Sequence, residues 1–190
     1  MALLEILQYP HSTLLKKAID VIKIDKSIKK LIYNMFETMY DFDGIGLAAP
    51  QIGISKKIIT MDVPKRKIIH KIKNNIDEEN SCNQINNNDN KQLKSFGIFT
   101  MINPIIIEKS STQYISEEGC LSVASQRIIL PRFEKIIVEY LDINSIKKRL
   151  MANGLLSRCI QHEIDHLNGI TILNPKIDKN NIIVNEEDYV

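Results

Sequence analysis

The sequence predicts an α+β fold, and three observations carry that prediction. Apolar residues recur at helical spacing between residues 28 and 39, short isoleucine- and valine-rich segments follow one another through the middle, and a second amphipathic pattern closes the chain between residues 153 and 169. Strands gathered into a run, rather than alternating with helices, argue against a chain of βαβ units. With 190 residues and 44% hydrophobic content the chain can bury one sizeable core, so residues 1–190 are expected to form a single domain.

The first helix should begin after Asp25, whose carboxylate suits an N-cap, and end near Asp41, before the glycines. Its apolar stripe is Ile28, Leu31, Ile32, Met35, Phe36 and Met39. The stretch GIGLAAPQ, residues 44–51, comes next. Gly44 and Gly46 have the spacing that opens a dinucleotide-binding loop, but the third glycine is missing and Pro50 should stop any helix from starting there. A turn entering a packed strand is the plainer reading. KKIITMDV, FGIFTMINP, IIIEK, QRIIL and EKIIVEYLDI are too short or too β-branched for helices and read as strands. Between Asn74 and Asn90 asparagine dominates and apolar side chains are almost absent, a composition that cannot offset the entropy of ordering. Residues 65–94 or thereabouts are therefore expected to be a mobile insertion between two strands. His11 and His70 have no evident partners and are expected at the surface.

The closing helix carries the chemistry. In CIQHEIDHLNG, residues 159–169, His162 and His166 stand four residues apart, little more than one helical turn, so both imidazoles can grip one ion. Asn153 is a suitable cap, Leu156, Ile160, Ile164 and Leu167 form a stripe for the core, and Gly169 is a stop signal. Cys159, His162, Glu163 and His166 fall on a neighbouring stripe. The pattern H-E-x-x-H on a helix suits a metal hydrolase, with the histidines as ligands and the glutamate managing the proton of the attacking water. The third ligand is ambiguous on spacing alone. Cys159 lies one turn earlier on the same face, whereas Cys120, in EEGCLS at residues 117–122, would have to be brought in by a strand. Asp165 and Glu163 are alternatives on paper, the latter at the expense of the base. Three ligands strung along one helix tend to splay from a tetrahedral point, which mildly favours a ligand from another element.

Charge and cysteine usage exclude several classes. A net charge of +2 is too mild to imply nucleic acid, and the lysines of residues 56–73 and the acidic residues 186–188 read as solvated surface. No apolar run reaches membrane-spanning length and no secretory signal is evident, so a cytoplasmic location is expected. Three cysteines, Cys82, Cys120 and Cys159, are too few and odd in number for a disulfide scaffold.

GIGLAAPQ, EGCLS and QHEIDH, in that order and at these separations, resemble the three signature motifs of the peptide deformylases, which remove the formyl group from the starting methionine of new proteins. The resemblance runs from YPHSTLLKK to the end of the last helix. It implies antiparallel sheets packed around a central helix that carries the histidines, and one ferrous ion held by Cys120, His162 and His166, with zinc, nickel or cobalt able to replace it in a purified sample. It further implies that Glu163 is the base, that the Gln51 side-chain amide and the Leu121 backbone N–H face the developing oxyanion, and that Gly46 lets substrate backbone approach closely. Ile45, Val123, Leu155 and Cys159 become candidates for the apolar slot that takes the methionine side chain, and Asp165 is expected to anchor the helix through Arg132. The implied partners are N-formylmethionyl nascent peptides, with transient proximity to the ribosome but without the long basic terminal helix of some bacterial members. Two competing readings are a metallopeptidase using the same H-E-x-x-H machinery and a noncatalytic metal-binding module. Thiolate ligation speaks against the first, and Gln51 and Glu163, which are not needed merely to hold metal, speak against the second.

Overall fold

The computed structural model of the chain describes residues 3–64, 95–173 and 182–184. Two helices and eight strands follow in the order β1 (Gly46–Ala48), β2 (Ile58–Pro64), β3 (Ser95–Lys109), β4 (Gln113–Cys120), β5 (Val123–Phe133), β6 (Lys135–Leu141), β7 (Lys147–Asn153) and β8 (Ile182–Val184), with α1 (Lys26–Asp41) before the first strand and α2 (Gly154–Leu167) after the seventh. The strands form a five-stranded sheet ordered β1-β2-β3-β6-β7 and a three-stranded sheet ordered β4-β5-β8, and every ladder between them is antiparallel. The fold is thus α+β with antiparallel sheets, as expected.

Helix α1 starts where the sequence places it, because Asp25 accepts hydrogen bonds from the backbone N–H groups of Ser27 and Ile28. Its stripe of Ile28, Ile32, Met35 and Met39 packs on Leu47, Ala49, Ile58 and Ile102. Helix α2 occupies the opposite face of the large sheet: Leu156, Cys159, Ile160 and Leu167 pack with Ala48, Ile59, Met61, Met101, Ile136, Val138 and Ala152. The alternation of strand side chains explains why KKIITMDV places apolar residues on both faces of its strand. Ile58 faces α1 while Ile59, Met61 and Val63 face α2, so strand β2 is covered on both sides. Helix α2 also touches β5 of the smaller sheet, which makes it the central element. A third cluster of Val123, Ile128 and Ile172 lies under the small sheet.

Four local expectations are corrected. FGIFTMINP and IIIEK are one strand, β3, bent rather than broken at Asn103-Pro104, where Asn103 takes φ +51° and the register with β6 shifts. The Asn103 side chain bonds both the N–H and the C=O of Val21, at 2.9 Å each, and this fixes the bend. Pro50 does not exclude a helical turn: Ala49–Ile52 form a 3-10 turn with the proline at its start, where no N–H is required. Asn153 stands at the N-cap position of α2, but its side chain makes no capping bond; the N–H of Gly154 is satisfied by Glu134 O instead. His11 is exposed as expected, yet its Nδ1 accepts from Thr13 N and caps the 3-10 turn Ser12–Leu15. The expected insertion at 65–94 and His70 lie outside the described residues. The stop at Gly169 is doubly determined, by φ +72° and by the Leu15 backbone, which would lie 2.8 Å from an added Cβ.

Ile160 is fully buried in the contact between α2 and the large sheet. Ile160→Ala is expected to destabilise the protein by about 2–5 kcal/mol, read from denaturant unfolding with an unchanged slope.

Candidate metal centre

EGCLS is the tip of a hairpin. Strand β4 ends at Cys120, which pairs with Val123 across Leu121 and Ser122, and the register slips between Gly119 and Cys120. Such a slip turns the side chain away from the regular pleat, and here it aims the cysteine sulfur at helix α2. Cys120 Sγ lies 3.2 Å from His166 Nε2. One ligand atom from each of Cys120, His162 and His166 falls within 4.8 Å of the others.

An ion fits this group. A tetrahedral ion with ordinary metal–sulfur and metal–nitrogen bonds sets sulfur and nitrogen about 3.5 Å apart, close to the observed Cys120–His166 separation. His162 turns its Nδ1 to Glu118 Oε2 at 3.0 Å, which leaves Nε2 for the cluster and supplies the carboxylate that ligating histidines commonly have behind them. That carboxylate is held in turn by Arg132, whose Nε and Nη2 donate to Glu118 Oε1 and Oε2 at 2.8 and 2.9 Å while Nη1 donates to Asp165. The expected Arg132–Asp165 contact is therefore present. Glu118, which sequence reading passed over, is its centre, and its adjacency to the EGCLS cysteine was the available signal. Burial alone would raise the Glu118 carboxyl, but the hydrogen bonds from His162 and Arg132 outweigh it and hold the group down at about 2. The imidazoles diverge. Burial disfavours charge on His162, yet its hydrogen bonds to Cys120 and Glu118 raise it well above the ordinary value, whereas burial and the neighbouring His162 push His166 well below.

Glu163 lies beside this group with 4% exposure. Its Oε2 is buried without a hydrogen-bond partner among the described residues, and burial pushes the carboxyl up to about 7. The Gln51 amide is oriented from both ends: Oε1 accepts from Ala48 N at 2.8 Å, and Nε2 donates to Ser122 Oγ at 3.2 Å and faces Cys120 Sγ at 3.7 Å. Leu121 and Ser122 are tied down by a segment that drew no attention in the sequence, because Gln8 Nε2 donates to Leu121 O at 3.0 Å and Tyr9 N to Ser122 O at 2.8 Å. The same segment reaches Gln51, whose carbonyl accepts from Leu7 N at 2.7 Å. Cys159 points elsewhere, with its thiol toward Ile45 O at 3.8 Å, and burial and the Glu163 charge raise its pKa well above normal. The four residues expected to wall the methionine slot, Ile45, Val123, Leu155 and Cys159, and Gly46, expected to meet substrate backbone, line one cleft of about 570 Å³ together with Gln51, Cys120, Leu121, His162 and Glu163.

An α+β fold that sets a thiol, an imidazole and a buried carboxyl on an open cleft, with a second, buried imidazole against the thiol, defines a metal-dependent hydrolase. Comparison with known proteins narrows this class. Residues 3–181 match the family model for polypeptide deformylase. The peptide deformylase of Wolbachia pipientis wMel is 41% identical over 170 residues, which covers 90% of this chain and 85% of that protein. Among solved structures, the peptide deformylase of Ehrlichia chaffeensis superposes with a TM-score of 0.76 at 36% identity, covering 94% of this chain and 90% of that one. The Met-Ala-Ser-bound class I type b peptide deformylase of Acinetobacter baumannii gives 0.73 at 28%, covering 90% and 97%. The chain belongs to the polypeptide deformylase family.

The two cysteines on the cleft distinguish a candidate ligand from a candidate wall residue. Cys120→Ala is expected to lose the ion on desalting while Cys159→Ala retains near one ion per chain, as read by elemental analysis; the reverse pattern would contradict the ligand set.

Proposed function

We propose that this cleft is where the chain removes the formyl group from the amino-terminal formyl-methionine of newly made proteins, releasing formate, with Cys120, His162 and His166 as metal ligands and Glu163, Gln51 and Leu121 as the catalytic groups. The observation that carries the reading is that the three ligand atoms converge within 4.8 Å of one another at the floor of a cleft lined by Cys120, His162 and the buried Glu163 carboxyl. When bound, the ion acts as a Lewis acid, polarising the formyl carbonyl and lowering the pKa of water.

The protein's own groups account for the rest. Ile45, Val123, Leu155 and Cys159 wall the slot for the methionine side chain, and Gly46 offers backbone without a side chain in the way. Glu163 takes a proton from the attacking water as its oxygen bonds to the formyl carbon, and returns it to the amine nitrogen as the carbon–nitrogen bond breaks. A carboxyl lifted toward neutrality by burial suits both halves of that exchange. The Gln51 side-chain N–H and the Leu121 backbone N–H donate to the oxygen on which negative charge develops. With Oε1 engaged by Ala48 N and Nε2 turned toward Cys120, the amide is already oriented before substrate arrives. That the Acinetobacter relative holds a methionyl tripeptide supports an apolar slot next to the ligands.

Among the described residues no helix is long and apolar enough to cross a membrane. The chain is read as one cytoplasmic catalytic domain that meets its substrates close to the ribosome. The ion is read as ferrous. A thiolate and two imidazoles suit zinc equally on softness, so the choice rests on the family resemblance, and the two metals separate in air. Zinc has no accessible redox chemistry, whereas at an iron site peroxide reaches both the ion and the Cys120 sulfur.

Glu163→Gln keeps the shape but removes the proton acceptor. Formate release from a formyl-methionyl peptide should fall by about two to four orders of magnitude with metal content unchanged; normal turnover would remove Glu163 from its role. The same substitution tests the environment of the carboxyl. Because the folded chain holds the Glu163 proton up to about 7, against an ordinary carboxyl value of 4.5, ion-free wild-type protein binds more protons folded than unfolded in that window. Its stability is complete at lower pH and is lost as the pH rises through 7, by about 3 kcal/mol. Ion-free Glu163→Gln should lack this loss, so that its Tm advantage over wild type grows between pH 5 and pH 8. Protein purified without oxygen should contain iron and lose it, or gain mass at Cys120, on exposure to peroxide, while nickel- or cobalt-loaded protein resists. Zinc-only protein with full activity, not improved by anaerobic iron loading, would overturn the iron assignment alone.

A further inference from the structure

Gly46 stands in strand β1, paired with Met61 of β2, and it is not among the residues with positive φ. Its backbone conformation is therefore open to any residue, and a glycine inside a strand ordinarily costs stability and marks a close approach. The close approach comes from helix α2. A Cβ built on Gly46 would overlap Glu163 Oε1 and stand 3.0 Å from Glu163 Cδ and 2.9 Å from Cys159 Sγ, well inside the 3.5–4.0 Å or so at which carbon contacts are optimal. The Glu163 carboxyl is almost fully buried, and its Oε2 has no hydrogen-bond partner among the described residues. Packing against the strand is thus what sets its position.

We propose that Gly46 is a positioning residue for Glu163: the missing side chain forms a notch in strand β1 in which the carboxyl is seated beside the ligand cluster, with the Cys159 sulfur as the other wall. The glycine is required there by the enzyme's own carboxyl, over and above any need of the substrate. This rests on the reading of Glu163 as the base.

A stability cycle and a kinetic comparison on nickel-loaded protein test it. Gly46→Ala is made in two backgrounds, Cys159→Ala and Cys159→Ala with Glu163→Ala, so that the sulfur contact is absent from both and the carboxyl is present in only one. With the carboxyl present, the added methyl should lower Tm by roughly 3–10 °C, or prevent folding. With the carboxyl removed, it should change Tm by less than about 2 °C. Equal losses in the two backgrounds, or failure of Gly46→Ala to fold in both, would overturn the proposal. In the otherwise unaltered chain, Gly46→Ala should lower kcat by about 100-fold, with KM within about threefold and nickel near one per chain; should that variant not fold, the Tm cycle decides alone. A raised KM at unchanged kcat would overturn the proposal in favour of a contact with substrate. The Tm cycle does not depend on turnover, so seating of the carboxyl can hold even if Glu163→Gln proves active and the base assignment fails.

Discussion

The centre depends on one guanidinium. Arg132 comes from strand β5, yet it binds Glu118 on β4 through two nitrogens and Asp165 on α2 through the third. It therefore fastens the small sheet, which carries Cys120, to the helix, which carries both histidines. The planar fork of arginine suits this as a lysine would not, because one rigid group must satisfy two carboxylates in different directions. Burial of such charges is costly, and a buried pair that loses one partner forfeits about 3–5 kcal/mol. What the network contributes is registration: Glu118 is placed to receive His162 Nδ1, so the same ion pairs that join the elements also choose which imidazole nitrogen faces the cluster.

The large sheet makes a different contribution, through rigid packing. Strand β2 is covered on both faces, by α1 through Ile58 and by α2 through Ile59, Met61 and Val63, and it carries β1 at the edge that faces the cleft. The Gln51 amide follows directly from β1 on a 3-10 turn, locked by Ala48 N and Ser122 Oγ. The groups proposed as donors and base thus stand on elements whose positions are set by a core, while the proposed ligands are held together by the ion-pair network.

Sequence reading reached the helices because their signals are local. Asp25 caps what its position says it should cap, and the 3.6-residue period separates the Ile160 face of α2 from the His162 face. It did not reach β4 or β7, whose residues QYISEEGC and KKRLMAN are mostly polar and half exposed, so that no apolar alternation betrays a strand. The third ligand was beyond local reasoning for a related cause. Cys159 and Cys120 differ by where their sulfurs point, one at the Ile45 carbonyl and the other at His166 Nε2, and this follows from a hairpin slip and an ion-pair network between distant segments. The family resemblance bridged that gap, but it left Glu118, Gln8 and Ser122 unseen, since each acts by holding another group.

The stitching of Leu7, Gln8 and Tyr9 to Gln51, Leu121 and Ser122 has a consequence for how this enzyme comes into being. The cleft is assembled from stretches near residues 8, 46–51, 118–123 and 159–166, so nearly all the contacts that define it are remote in sequence. Such topology folds slowly, because loop closure must be completed before any of those contacts is rewarded. No chain that ends before helix α2 contains a working fraction of the site, because both histidines and Glu163 arrive last. The site therefore cannot grade with the length of chain made: it is absent until α2 joins the two sheets and whole once it has.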